Sequence, residues 1–175
     1  MTTQPAQYHN THVLVVDDDA INREIVEILL AAVGVIAHLA EHGQHALDII
    51  SESGPDTFDL VLTDIQMPLL DGFAVARELR AQPEFALLPI VAMTAQTMEH
   101  EGREIAEAGL SDQIGKPFDV AAFYRLLAKW IPASKQSVAT VPEKQTPQPA
   151  AMVTGGGYLP ARRGPALQAA VSRFA

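Results

Sequence analysis

Five times along the chain a short apolar run gives way to polar residues and then to a helical pattern. His12-Val13-Leu14-Val15-Val16 is the first, a β-branched run that reads as a buried strand and ends on three acids, Asp17, Asp18 and Asp19. Ile21, Ile25, Ile28 and Leu29 follow at helical spacing, which places the acids in a strand-to-helix turn. Gly34 is a helix terminator, and Val35 to Ala40 makes the second strand. Ala46, Leu47, Ile49 and Ile50 predict a second helix that ends before Ser53-Gly54-Pro55.

The third run, Phe58-Asp59-Leu60-Val61-Leu62-Thr63-Asp64, stops at Asp64 and turns through Gln66-Met67-Pro68 to Asp71-Gly72. Phe73, Ala76, Arg77, Leu79 and Arg80 form a third helix, closed near Gln82-Pro83. Leu88 to Met93 is the fourth run and ends at Thr94; a helix from about Met98 to Ala108 stops at Gly109. Leu110 to Gly115 is a weaker fifth strand, followed by Lys116-Pro117, and Val120, Phe123, Tyr124, Leu127 and Trp130 mark a fifth amphipathic helix.

Strands alternating with helices in this way predict an α/β fold with a parallel, doubly wound sheet. In such a sheet, ligands gather at the carboxyl ends of the strands, where the turns are free to carry polar groups. Four of the strands end in groups that would meet there: Asp17 and Asp18, Asp64, Thr94, and Lys116.

Past Trp130 the pattern lapses. Pro132, Pro142, Pro147, Pro149, Pro160 and Pro165 fall there with Gly155-Gly156-Gly157, which is linker composition. The division expected is a flexible segment over 1–10, a domain over 11–132, a linker over 133–165, and over 166–175 the start of a further helical domain.

Composition narrows the function. Without cysteine there are no disulfides, thiolate metal sites or cysteine nucleophiles, which agrees with a cytoplasmic location. A net charge of −9 disfavours nucleic-acid binding through a broad basic face. No uncharged apolar run is long enough to suggest a membrane span, and Met1 to Asn10 lacks a signal pattern.

Clustered carboxylates without cysteine or a paired histidine site make a hard, oxygen-rich environment suited to Mg²⁺. Beside a threonine hydroxyl and a lysine ammonium, such a site has the parts for phosphoryl transfer to a carboxylate. Asp19 reads as a helix cap, His42 and His45 as a solvated helix face, and Met67 and Met93 as core.

The motifs Val15-Val16-Asp17-Asp18, Asp64-Ile65-Gln66-Met67-Pro68 with Asp71-Gly72, Ala92-Met93-Thr94-Ala95, and Lys116-Pro117 stand in order over Thr11 to Pro132. In them the chain resembles a response-regulator receiver domain, the phosphoacceptor module of two-component signalling. The resemblance implies a flavodoxin-like (βα)5 fold with strand order 2-1-3-4-5. It implies that Asp64 becomes an aspartyl phosphate, and that Asp18, Asp64 and the backbone carbonyl of Gln66 ligate Mg²⁺ directly while Asp17 acts through a coordinated water. Thr94 and Lys116 would contact the phosphoryl group, and Lys116-Pro117 would be cis. The phosphoryl group would come from a histidine kinase or a histidine phosphotransfer protein. Many receivers carry an aromatic residue three positions before the lysine; here that position is Gln113. Gln66 and Gln96 occupy positions that in the family tune phosphoryl hydrolysis.

Residues 166–174 resemble the opening helix of a phosphotransfer domain, so the expected parent is a hybrid histidine kinase, with a stand-alone response regulator as runner-up. In a different class, a haloacid-dehalogenase-like phosphatase would use Asp17 as nucleophile with Thr94 and Lys116. It would leave the Asp64-to-Gly72 motif without a role. A receiver-like scaffold that binds partners without being phosphorylated would leave the intact acid, threonine and lysine set unused.

Overall fold

The alternation of apolar runs and helical periods folds as the pattern predicts, with one addition at the ends of the domain. In the computed structural model, residues 5–95 and 99–137 are described, all within the unit Met1–Val141. A short β1 (Gln7–Tyr8) precedes β2 (His12–Val16), α1 (Ala20–Ala31), β3 (Ile36–Ala40), α2 (Gly43–Ser53), β4 (Leu60–Asp64) and α3 (Gly72–Arg80). Then come β5 (Ile90–Thr94), α4 (Glu99–Glu107), β6 (Asp112–Gly115), α5 (Val120–Trp130) and β7 (Gln136–Ser137). Strands β2 to β6 form one parallel sheet in the order β3-β2-β4-β5-β6, which is 2-1-3-4-5 when these five are counted among themselves.

Alternation along each central strand sends side chains to both faces, and both faces are covered. Val13, Val15, Leu60, Leu62, Val91 and Met93 pack with Val26 and Leu30 of α1 and Phe123 and Leu127 of α5. Leu14, Val16, Val61 and Ala92 pack on the other side with Ile50 of α2, Val75 and Leu79 of α3, and Ile105 of α4. Each such fully buried Val or Leu contributes about 1.5–3 kcal/mol, which fixes the register that aligns the strand ends. Among the described residues no helix is long and apolar enough to cross a membrane.

The structure departs from the sequence reading in two places. Ile21, Ile25 and Ile28 mark α1 correctly but do not face the core: they are 67%, 42% and 61% exposed, and Val26 and Leu30 are the buried residues. The second departure is at the domain edges. Gln7–Tyr8, expected within a flexible segment, pairs antiparallel with Gln136–Ser137, expected within the linker. Tyr8 is buried beneath this pair, its amide donating to the Val33 carbonyl at 2.8 Å. Lys135 Nζ lies 2.7 Å from Asp59 Oδ1 and donates to the Asn10 carbonyl, and Gln136 Nε2 donates to the Ile131 carbonyl at the end of α5. Gly34 leaves α1 with φ +80°, and a Cβ there would come within 2.7 Å of the Tyr8 carbonyl oxygen, so the strap crosses where only glycine fits. The rest of the expected linker and the 166–175 helix lie outside the described residues.

Candidate functional site

Because the central strands are parallel and in register, their carboxyl ends open on one edge of the sheet, and the polar residues that end them converge. Asp17 follows β2 directly, Asp64 is the last residue of β4, Thr94 the last of β5, and Lys116 follows β6. Asp17, Asp18 and Asp64 each offer a carboxylate oxygen within 4.8 Å of the others. Asp17 is fully buried, Asp64 is 7% exposed and Thr94 2%, while Asp18 faces solvent. Lys116 Nζ bridges the pair, 3.0 Å from Asp17 Oδ2 and 3.0 Å from Asp64 Oδ2. The Lys116-Pro117 peptide bond is cis.

Local hydrogen bonds hold the two acidic turns open. Asp17 Oδ1 accepts from the Asp19 amide at 2.9 Å, and Asp19 in turn caps α1 by accepting from the Ile21 and Asn22 amides. Arg23, one turn further along α1, donates to the Asp17 carbonyl at 2.7 Å, with Glu41 3.8 Å from its other nitrogen. Asp64 Oδ1 accepts from the Gln66 amide at 3.2 Å. Asp71 caps α3 by accepting from the Ala74 amide, and the Gly72 amide donates to the Ile65 carbonyl at 3.0 Å. A Cβ at Gly72 would run into the Asp64 carbonyl, so the Asp64 turn closes tightly only because Gly72 has no side chain.

Burial pushes the Asp64 carboxyl above the ordinary carboxylate range, and the nearby Asp17 charge adds to this; the Lys116 hydrogen bond and charge offset it only in part. Burial acts downward on the Lys116 ammonium, but its hydrogen bonds to Asp64 and Asp17 more than reverse that, so the lysine is held protonated. One ammonium thus pairs with the two buried carboxylates, and the exposed Asp18 carboxylate lies beside them. The site carries surplus negative charge at its open side, where Asp18 sits, and its donors there are all oxygens, which fits a hard divalent cation. Thr94 Oγ1 is buried with no hydrogen-bond partner among the described residues, a cost of about 1–3 kcal/mol that an incoming acceptor would relieve.

The family model described as the response regulator receiver domain matches residues 13–128, most of the chain. The chain belongs to that family. Among curated relatives, this receiver is 36% identical over 121 residues to hybrid signal transduction histidine kinase L of Dictyostelium discoideum, covering 67% of this chain and 7% of that protein. It is 33% identical over 117 residues to the two-component response regulator ARR22 of Arabidopsis thaliana, covering 67% of this chain and 81% of that protein. Among solved structures, the receiver domain of the sensor histidine kinase PA1611 of Pseudomonas aeruginosa has a magnesium ion in its active-site cleft. It superposes with a TM-score of 0.62 at 32% identity, covering 69% of this chain and 96% of that one. The receiver domain of Saccharomyces cerevisiae Ssk1, in complex with the histidine phosphotransfer protein Ypd1, gives 0.62 at 27% identity, covering 70% and 90%.

Within this receiver, Asp17, Asp18, Asp64 and Lys116 lie together, and Thr94 ends β5 at the same edge. Gln66 stands beside Asp64 through its backbone, with its side chain exposed. His42 does not form a site with His45: it caps α2, its Nδ1 accepting from the His45 amide at 3.1 Å. Asp17 is less accessible than Asp64 as a nucleophile, being fully buried. Sequence reasoning missed Asn22 and Arg23, which contact Asp17 at Oδ1 and at the backbone carbonyl. Their position in the first turns of the helix that follows the acids was the available signal.

Proposed function

We propose that the domain accepts a phosphoryl group from a phosphohistidine onto Asp64 and changes conformation in response. The observation that carries this reading is the bridge at the strand ends: Lys116 Nζ 3.0 Å from both Asp17 and Asp64, with the Thr94 hydroxyl, unpaired among the described residues, at the same edge. An Asp64 carboxylate oxygen attacks phosphorus while the phosphorus–nitrogen bond breaks, and the imidazole nitrogen keeps the electron pair. Lys116 leaves part of its bridge to neutralise a phosphoryl oxygen, and the Thr94 hydroxyl donates to another. Asp17, Asp18, Asp64 and the Gln66 carbonyl would hold Mg²⁺, which supplies charge neutralisation for the transferring group. The magnesium ion in the PA1611 receiver supports that choice of metal.

The phosphodonor is a histidine kinase or a histidine phosphotransfer protein, supported by the Ypd1–Ssk1 complex. The parent is a hybrid histidine kinase, supported by the similarity to kinase L, of whose length the chain spans 7%. A stand-alone response regulator is the second reading, favoured by the 81% coverage of ARR22. Such a donor and the lack of cysteine support a cytoplasmic setting.

The test is transfer from a phosphorylated histidine phosphotransfer protein, with Mg²⁺ and with a chelator. Label should move to the unmodified chain only with the metal, and Asp64→Asn, nearly isosteric, should take up none while keeping its circular dichroism spectrum. Persistent labelling of that variant would move the acceptor elsewhere.

A further inference from the structure

Two histidines that stand 26 positions apart in the chain meet ring to ring on the sheet. His12 opens β2 and His38 lies in the middle of β3; His12 pairs with Ile36 and Leu14 with His38, so the two rings share one face as diagonal neighbours. His12 Nδ1 and His38 Nε2 are 3.0 Å apart and the ring centres 5.2 Å. Both residues are half-buried, at the end of β2 away from Asp17. Phe58 packs edge-on against His38, with 5.1 Å between centres, and keeps that ring beside His12.

A neutral pair can share only one proton between these two nitrogens, a bond worth about 0.5–1.5 kcal/mol. A metal ion would use both lone pairs at once. Two imidazoles on one tetrahedral zinc, with metal–nitrogen bonds of about 2.0–2.1 Å, hold their ring centres about 5.2 Å apart, and that is the separation already present. The rings therefore need to turn toward a common point but not to move apart. Burial, and then the charge of His12, holds the His38 pKa below its ordinary value, so near neutral pH its ring is in the uncharged form that binds metal. His42 and His45 offer no such pair: His42 Nδ1 is spent on the His45 amide, and His45 Nδ1 accepts from the Glu41 amide.

We propose that His12 Nδ1 and His38 Nε2 form a binding site for a late first-row divalent cation such as Zn²⁺, separate from the acidic site at the other end of β2. Imidazole nitrogens suit zinc, copper and nickel, whereas Mg²⁺ takes oxygen, so the two sites select different ions. Among the described residues no third histidine or carboxylate completes the set, and water fills the other positions, which makes the ion exchangeable. On binding, the ring protons sit on His12 Nε2 and His38 Nδ1. The ion ties β2 to β3, the edge strand of the sheet, and so stabilises the fold. This stands independently of the phosphoacceptor reading.

Calorimetric titration of the full chain with zinc chloride, in saturating Mg²⁺ to occupy the carboxylates, tests this. Zinc affinity should fall about tenfold or more in His12→Gln and in His38→Gln, each of which removes one of two ligands, and should hold in His42→Gln. Zinc should raise the melting temperature of the unmodified chain and of His42→Gln, but not of the other two variants. Nitrogen-15 spectra of the histidine rings read the site without any substitution: zinc should shift Nδ1 of His12 and Nε2 of His38. No zinc uptake, equal affinity in all three variants, or ring nitrogens of His12 and His38 that stay where they were would overturn the proposal. None of these results bears on Asp64, whose role is read by phosphoryl transfer.

Discussion

Lys116 shows how much rests on one side chain. Its ammonium is the only cation within bonding distance of the Asp17 and Asp64 carboxylates among the described residues, and Asp17 has no access to solvent. Lys116→Met should therefore cost about 3 kcal/mol of stability in chelator, the penalty for leaving a buried carboxylate uncompensated, and Mg²⁺ should restore part of it. Urea unfolding with and without the metal measures both effects; a variant as stable as the parent in chelator would mean that the acids are neutralised another way. At this scale the sequence was most legible where a residue ends a strand, because strand ends are visible as the point where an apolar run stops. That is how Asp17, Asp64, Thr94 and Lys116 declared themselves. Arg23 acts across the packing, on the Asp17 carbonyl, and its place in the first turns of α1 was the only hint of that contact.

Among the elements, α1 separates what periodicity reveals from what it hides. Ile21, Ile25 and Ile28 repeat at helical spacing and mark the helix, yet they form an exposed ridge that starts beside the acidic turn. A phosphodonor approaching Asp64 would meet that ridge, so Ile25→Asp should slow transfer from a phosphotransfer protein while leaving beryllofluoride binding unchanged; equal transfer rates would remove α1 from the docking surface. At the opposite end of the sheet, β2 and β3 carry a histidine pair, His12 Nδ1 and His38 Nε2 being 3.0 Å apart, with Phe58 edge-on to His38. Burial, then the charge of His12, lowers the His38 pKa below its usual 6.5. The unfolded chain therefore takes up a proton before the folded one does, so the contribution of His38 is present above that usual value and lost as pH falls through the folded one. Melting temperature should drop between about pH 7.5 and about pH 5.5, and less steeply in His38→Gln. Parallel slopes for the two proteins would place the acid sensitivity elsewhere.

For the whole molecule, the apolar pattern was enough for the sheet and its five helices, since each element is long enough to show a period. It was not enough for the domain's edges. A two-residue strand has no period, and Gln7–Tyr8 gains its structure from Gln136–Ser137, far away in sequence. Tyr8→Ala should cost about 3 kcal/mol or more, as for other buried aromatics, and the urea midpoint would show it; a chain indifferent to that change would return residues 5–10 to the role of a loose leader. The fold holds the acid and the ammonium in place without any phosphoryl group, so the account stands or falls on which atom receives one. Borohydride reduction after transfer from a phosphohistidine donor, followed by peptide mass spectrometry, reads this directly, because only an acyl phosphate is reduced to homoserine. Homoserine at position 64 is the predicted result; homoserine at Asp17 or Asp18, or none anywhere in a chain that has taken up label, would contradict it.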